Sequence, residues 1–166
     1  LVLLPGCEWN SHSGEHMNLL SFKDSLIKRS IACPDQMAVL RRLEKKPILA
    51  ILNHPNWQEP PHYSREELAE RAPFADGMEI YNGLIDFLAG IAPATEKWDY
   101  LLTRGHLLLG FAHDDAHQPP HVGNAWIMVR ASSRTPRAIF NAIQKGNFYC
   151  STGVTFADIR RDGMQI

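Results

Sequence analysis

Apolar runs separated by capped helical segments dominate the chain. Residues 1–4 form an apolar run closed by Pro5-Gly6, which predicts a buried strand entering a turn. Residues 8–16 are polar and read as a loop, and 17–22 as a short strand. A helix is predicted over 34–46: Pro34 suits its first turn, Met37, Leu40 and Leu43 share one face, and Pro47 stops it. The apolar run 48–52 is the next strand, followed by a Pro-rich loop over 53–63. Ser64 and Glu67 have the capping-box spacing for a short helix, and 77–81 is a strand. Thr95 is the expected cap of a helix over 96–103, ended by Arg104-Gly105. Strands follow at 107–112 and 125–131. Thr135 caps a helix over 136–145 ended by Gly146, and 149–152 is a last short strand. Apolar strands alternating with capped helices imply a parallel sheet covered by helices. Residues 1–155 read as one domain or a piece of one, and 156–166 as a hairpin that starts a following β-rich segment. A domain rarely begins inside a buried strand, so the chain reads as an internal fragment.

The polar residues gain meaning from this layout. Glu8 follows the first strand, His54 follows the run 48–52, Glu79 and Asn82 close the strand 77–81, and Asp115 and His117 follow 107–112. In barrels and open α/β sheets the C-terminal strand ends gather on one face, where active sites form. Residues far apart in sequence therefore converge. Imidazoles and carboxylates together hold divalent metals such as zinc, manganese or iron, and such sites lower the pKa of bound water toward neutrality. A carboxylate such as Glu8 can bridge two ions, and two ions can stabilise the attacking and leaving oxygens of a phosphoryl transfer. The chain has no Gly-rich phosphate loop and no G-x-S-x-G elbow, which leaves a metal-bound hydroxide as the best nucleophile available.

Composition narrows the partners. The net charge of -1, from 17 Lys plus Arg and 18 Asp plus Glu, offers no basic surface for nucleic acid. No apolar run reaches the roughly 18 residues of a membrane span. Three cysteines without paired spacing do not make a disulfide framework, and Cys7 reads as a small core residue. The eight histidines are clustered. Of these, His12, His62, His113 and His121 lie near the proposed site in sequence only and are not assigned as ligands. Asp114 either orients an imidazole or caps its own loop. Arg130 and Arg134 either receive an anionic substrate or are solvated surface residues. Trp9, Trp57 and Trp126 either line a pocket or belong to the core.

The motifs PGCEW with EHMNLL, ILNHP, GMEIYNG, WDYLLTRG, FAHDDAH and GNFYCSTG occur in that order. Together they resemble the PHP domain, the polymerase and histidinol phosphatase superfamily of metal-dependent phosphoesterases, over 1 to about 159. The branch most similar carries W-D-x-L-L-x-x-G followed by D-D-x-H. The resemblance implies a distorted, TIM-barrel-like (β/α)7 barrel with a trinuclear metal site at the strand ends. By the same resemblance Glu8 bridges two metals, His16 and His54 complete the second metal's shell, Asp115 serves the first and His117 the third. Glu8 and Asp115 are the expected catalytic carboxylates, and Asp114, Glu79, Asn82 and Arg130 the expected supporting or substrate-side residues. The family's H-x-H strand and D-H motif belong upstream of Leu1. The first βα units are therefore expected to be missing, and this chain alone is not expected to be a competent trinuclear enzyme. The implied activity is hydrolysis of a small, anionic phosphoester. The alternatives are hydrolysis of a carbamate, ester or amide, or a non-catalytic metal-binding remnant. Compartment, cytoplasmic or exported, and oligomeric state stay open.

Overall fold

Two antiparallel strands joined by a tight loop open the fold. The structure, a computed structural model, describes residues 1–30, 32–160 and 163. Strand β1 (Gly6–Asn10) pairs with β2 (His16–Leu20), placing Glu8 opposite Asn18 and Asn10 opposite His16. In the connecting loop Glu15 N–H donates to Ser11 Oγ at 2.8 Å, and Gly14 supplies the left-handed turn at φ +100°. Helices α1 (Asp24–Ser30) and α2 (Gln36–Leu43) carry the chain to β3 (Leu49–Leu52), antiparallel to β2. Helix α3 (Arg65–Arg71) starts at the Ser64 and Glu67 capping box. It leads to β4 (Gly77–Asn82), and α4 (Thr95–Leu102) leads on to β5 (Leu109–His113). Strands β3, β4 and β5 run parallel, and the sheet order is β1-β2-β3-β4-β5. Strand β6 (Trp126–Val129), α5 (Pro136–Gln144) and β7 (Phe148–Ser151) follow, and β6 and β7 form their own antiparallel ladder.

The sheet is buried on both faces, which explains the unbroken apolar run of β3. Ala50 and Leu52 join Met17, Leu19, Leu40, Leu68 and Met78 in one core layer with the earlier helices. Leu49 and Ile51 point the other way and pack with Phe111, Phe140 and Ile143, the last two from α5.

Several expectations are corrected. The sheet is mixed rather than parallel, because β1, β2 and β3 alternate in direction. Residues 1–4 form no strand, and Leu1 and Leu3 are exposed; the first strand lies at 6–10, within and just before the segment read as a polar loop. Its burial alternates, so its polar positions mimic a loop. Helix α1 was not expected, and Thr95 lies inside α4, whose cap is Ala94 without a side-chain bond. The remaining elements sit within a few residues of expectation. The described strands form an open sheet and a separate ladder, and no closed barrel is seen. Of the expected hairpin, residues 156–160 carry no strand, while 161, 162 and 164–166 lie outside the described residues.

Candidate metal centre

Glu8 is the middle residue of β1, and strand alternation places it on the face opposite the buried Trp9. His16 begins β2. His54 follows β3 in the left-handed region at φ +28°, a conformation that costs a non-glycine residue about 1 kcal/mol or more. The surroundings hold it there. Glu79 Oε2 accepts the His54 N–H at 2.6 Å, and Trp57 N–H donates to His54 O at 3.0 Å.

These elements bring three ligand atoms into a triangle. Glu8 Oε1 lies 3.2 Å from His16 Nδ1 and 3.3 Å from His54 Nε2, and the two imidazole nitrogens are 3.2 Å apart. Asn53 Nδ2 donates to the same Glu8 oxygen at 2.9 Å. Metal–nitrogen bonds of about 2.0–2.1 Å in a tetrahedron give a ligand-to-ligand edge of about 3.3 Å. The triangle therefore has the dimensions of one face of a coordination shell. Hydrogen bonds from His16 and then His54 hold the Glu8 carboxyl far below the usual carboxylate range, against the burial that opposes its charge. Among the described residues, His54 Nδ1 is buried without a hydrogen-bond partner. The donor set of Glu8, His16 and His54 fits a divalent metal.

His62, left unassigned from sequence, joins this cluster. Ligand atoms of His16, His54 and His62 all lie within 4.8 Å of one another, so the three rings form a group able to hold an ion. In this arrangement, however, His62 Nε2 accepts the His16 N–H at 3.1 Å, which makes it a support for the His16 backbone. Burial, with the neighbouring His54 and His16, pushes its pKa down to about 4.

Support extends outward from both histidines. Tyr63 OH donates to His16 O at 2.8 Å and accepts from Gln36 Nε2 at 2.7 Å. Gln36 Oε1 in turn accepts from Arg71 Nε at 2.7 Å, and Arg71 Nη2 donates to Glu15 Oε1 at 2.9 Å. Buried Lys97 donates to Pro55 O at 2.9 Å and to Tyr63 O, which ties both ends of the loop carrying Trp57 and His62 to α4.

Glu79 is fully buried, and both of its oxygens are committed. Oε2 accepts from His54 N–H and from Asn82 Nδ2 at 3.0 Å, and Oε1 lies 2.8 Å from His113 Nδ1. Burial opposes its charge, but His113, His54 and Asn82 together outweigh it and leave the pKa lowered. Asn82 Nδ2 also donates to Asp115 Oδ2 at 3.2 Å. Asp115, at φ +50°, has its pKa raised by burial. A cavity of about 300 Å³ unites Glu8, His16, His54, Asp115 and His117. His117 is the most exposed of the five, with its Nδ1 2.8 Å from Asp115 O. Asp114 accepts from Gly123, Asn124 and Ala125 N–H at 2.8, 2.7 and 2.7 Å, which closes its own loop. Arg130 lies on a separate groove beside Phe148, Tyr149 and Phe156 and does not line the cavity.

Sequence reasoning passed over Asn53, His62, Tyr63, Lys97 and His113. Asn53 is signalled by its place beside His54 in ILNHP. The others act across separations of 34 to 47 residues, which no spacing rule announces.

Residues 107–148 match the PHP_C family, described as PHP-associated. No curated protein matches the chain by sequence. A crystal structure from Bacteroides vulgatus ATCC 8482, a two-domain protein containing a predicted PHP-like metal-dependent phosphoesterase, shares the fold with a TM-score of 0.65 at 20% identity. The alignment covers 91% of this chain but only 45% of that one. PsfC from Pseudomonas syringae PB-5123 aligns with a TM-score of 0.56 at 14% identity, over 89% of this chain and 58% of its own. This chain thus spans about half the length of the structures it resembles. The sequence match is confined to residues 107–148, and the likeness to the two solved structures is one of fold.

Proposed function

We propose that this chain provides the metal centre of a metal-dependent phosphoester hydrolase. The observation that carries the reading is the triangle of Glu8 Oε1, His16 Nδ1 and His54 Nε2, with edges of 3.2 to 3.3 Å, opening into a cavity shared with Asp115 and His117. When bound there, a divalent ion supplies Lewis acidity and lowers the pKa of water. Glu8, His16 and His54 are the residues that hold it. Glu8 is anionic and offsets the ion's charge. Glu79 fixes the strained His54 backbone, and His62 and Tyr63 fix that of His16. Asp115, kept in place by Asn82, faces the same space and is the group suited to accept or hold a proton beside a reacting phosphoryl. His117 completes that side as a further ligand.

Hydrolysis of a carbamate, ester or amide is the second reading, favoured by a cavity lining that contains no Lys or Arg among the described residues. The test uses the full-length protein. Metal content and rates are measured on aryl phosphates, aryl esters and carbamates, for the wild type and His54→Ala. Loss of both metal and phosphatase activity in the variant supports the first reading. Activity confined to carbonyl substrates moves the assignment to the second. Metal binding without turnover of any substrate points to a non-catalytic module, and unchanged metal content in His54→Ala sinks the site itself.

A further inference from the structure

Part of the cavity wall beside the metal-binding triangle is apolar. Trp57, Leu84, Ile85 and Leu88 form it, with His117 and His121 at its rim. The wall is a built one. Asn82 Oδ1 accepts from Leu84 N–H at 3.0 Å and Ile85 N–H at 3.3 Å, which sets the short helical turn Ile85–Phe87 over the site. The Trp57 loop is laced to the following segment: Gln58 N–H donates to Ala89 O at 3.0 Å and Ile91 N–H to Asn56 O at 3.1 Å. Gly90 sits at φ +126° where an added Cβ would meet Asn56 O at 2.5 Å, so the two loops touch backbone to backbone. Phe87 stacks on His121 with ring centroids 5.2 Å apart. Leu88 stays 49% exposed on this wall, an apolar side chain left open to water.

Charge points the same way. Among the described residues, the cavity lining offers two carboxylates, Glu8 and Asp115, and no Lys or Arg. A second anionic group on the substrate would find no Lys or Arg to pair with among the described residues of the lining, and burying an unpaired charge is strongly unfavourable. An apolar cavity of about 150 Å³ holds a benzene ring. The observed volume of about 300 Å³ therefore has room for one ring and one reacting group.

We infer that the site selects substrates whose non-reacting part is an uncharged, apolar group of aryl size, seated between Trp57 and Leu88, and rejects sugar phosphates, nucleotides and other polyanions. This deepens the hydrolase reading and rests on it. The reacting group, phosphoryl or carbonyl, is held at Glu8, His16 and His54, and the ring discriminates.

Two pairs of non-reacting probes test it by calorimetry on the metal-loaded, full-length protein: phenylphosphonate against methylphosphonate, and benzohydroxamate against acetohydroxamate. Burial of the ring is expected to make the phenyl member about tenfold or more tighter in at least one pair. Leu88→Asp, a change at a half-exposed position that leaves the core intact, is expected to abolish that preference without altering metal content. Absence of a phenyl preference in both pairs overturns the inference, as does a preference that survives Leu88→Asp undiminished. Failure of the underlying reading has a different signature, metal content that His54→Ala does not change.

Discussion

Glu79 shows how one buried carboxylate organises the candidate site without lining the space where an ion would sit. It receives the His54 N–H, the Asn82 amide and the His113 ring from three separate segments. Glu79→Ala leaves these groups unpaired, and is expected to cost about 2–4 kcal/mol in denaturant unfolding. It should also weaken metal affinity about 10- to 100-fold by titration, as loss of supporting partners does in metal sites. A second residue-scale prediction concerns Glu15. Burial works against its charge, but hydrogen bonds from Ser11 and Ser13 and the Arg71 guanidinium more than offset it, placing its pKa at about 2. Because the folded value lies below the unfolded one of about 4.3, its stabilisation is full above pH 4.3 and is lost as pH falls through 2. Urea midpoints of wild type and Glu15→Gln should differ at neutral pH and converge toward pH 2. The positions of His54 and Asp115 after strands were legible in the sequence, whereas Glu8, read as following a strand at 1–4, lies inside β1, and Glu79 lies inside β4. What Glu79 does was not legible, because its partners His54 and His113 lie 25 and 34 residues away.

At the scale of elements, helix ends and loops decide what the strands can present. The loop after β3 carries His54, Trp57 and His62, and its two ends are tied to α4 by the Lys97 ammonium on the Pro55 and Tyr63 carbonyls. Lys97→Met keeps the stem but removes the donors, and is expected to cost about 1.5–3 kcal/mol. It should also raise hydrogen exchange across residues 55–63 while leaving α5 protected, as native-state exchange would report. Sequence reading found α3 from its capping box because Ser64 and Glu67 satisfy each other locally. It missed α1, and it set the first strand at 1–4, because hydrophobicity alone draws the eye to Leu1–Leu3–Leu4 while β1 alternates between core and site. Thr95 looked like a cap for the same local reason, but the chain enters α4 one residue earlier.

For the whole molecule, two core layers clamp the sheet. Met17, Leu19, Leu52 and Met78 lie on one side, and Ile51, Phe111 and Phe140 on the other. The candidate site joins the middle of β1, the start of β2 and the segments after β3 and β5, so an ion bound there would be linked to the folded state of the sheet. Binding to the native form alone stabilises it by about 2.7 kcal/mol at a ligand concentration of 100 Kd. Chelation should therefore lower the Tm of the wild type by several degrees and leave that of His54→Ala unchanged in a calorimetric scan. The α/β class and the convergence of strand ends were readable from the order of runs and caps. Strand direction was not, because an apolar strand buried on both faces looks the same whether its neighbour is parallel or antiparallel.

Asn82 binds both halves of the cavity with one amide: its nitrogen holds Asp115 and its oxygen holds the turn bearing Leu84 and Ile85. Under the proposed reading, catalytic competence and selectivity would therefore be inherited together at this position. An evolving or engineered lineage cannot retune its substrate range through Asn82 without disturbing the carboxylate it anchors. Leu88, which no such bond constrains to the metal side, is where divergence is cheap. Laboratory selection for new substrates should accumulate changes at 88 and leave 82 invariant.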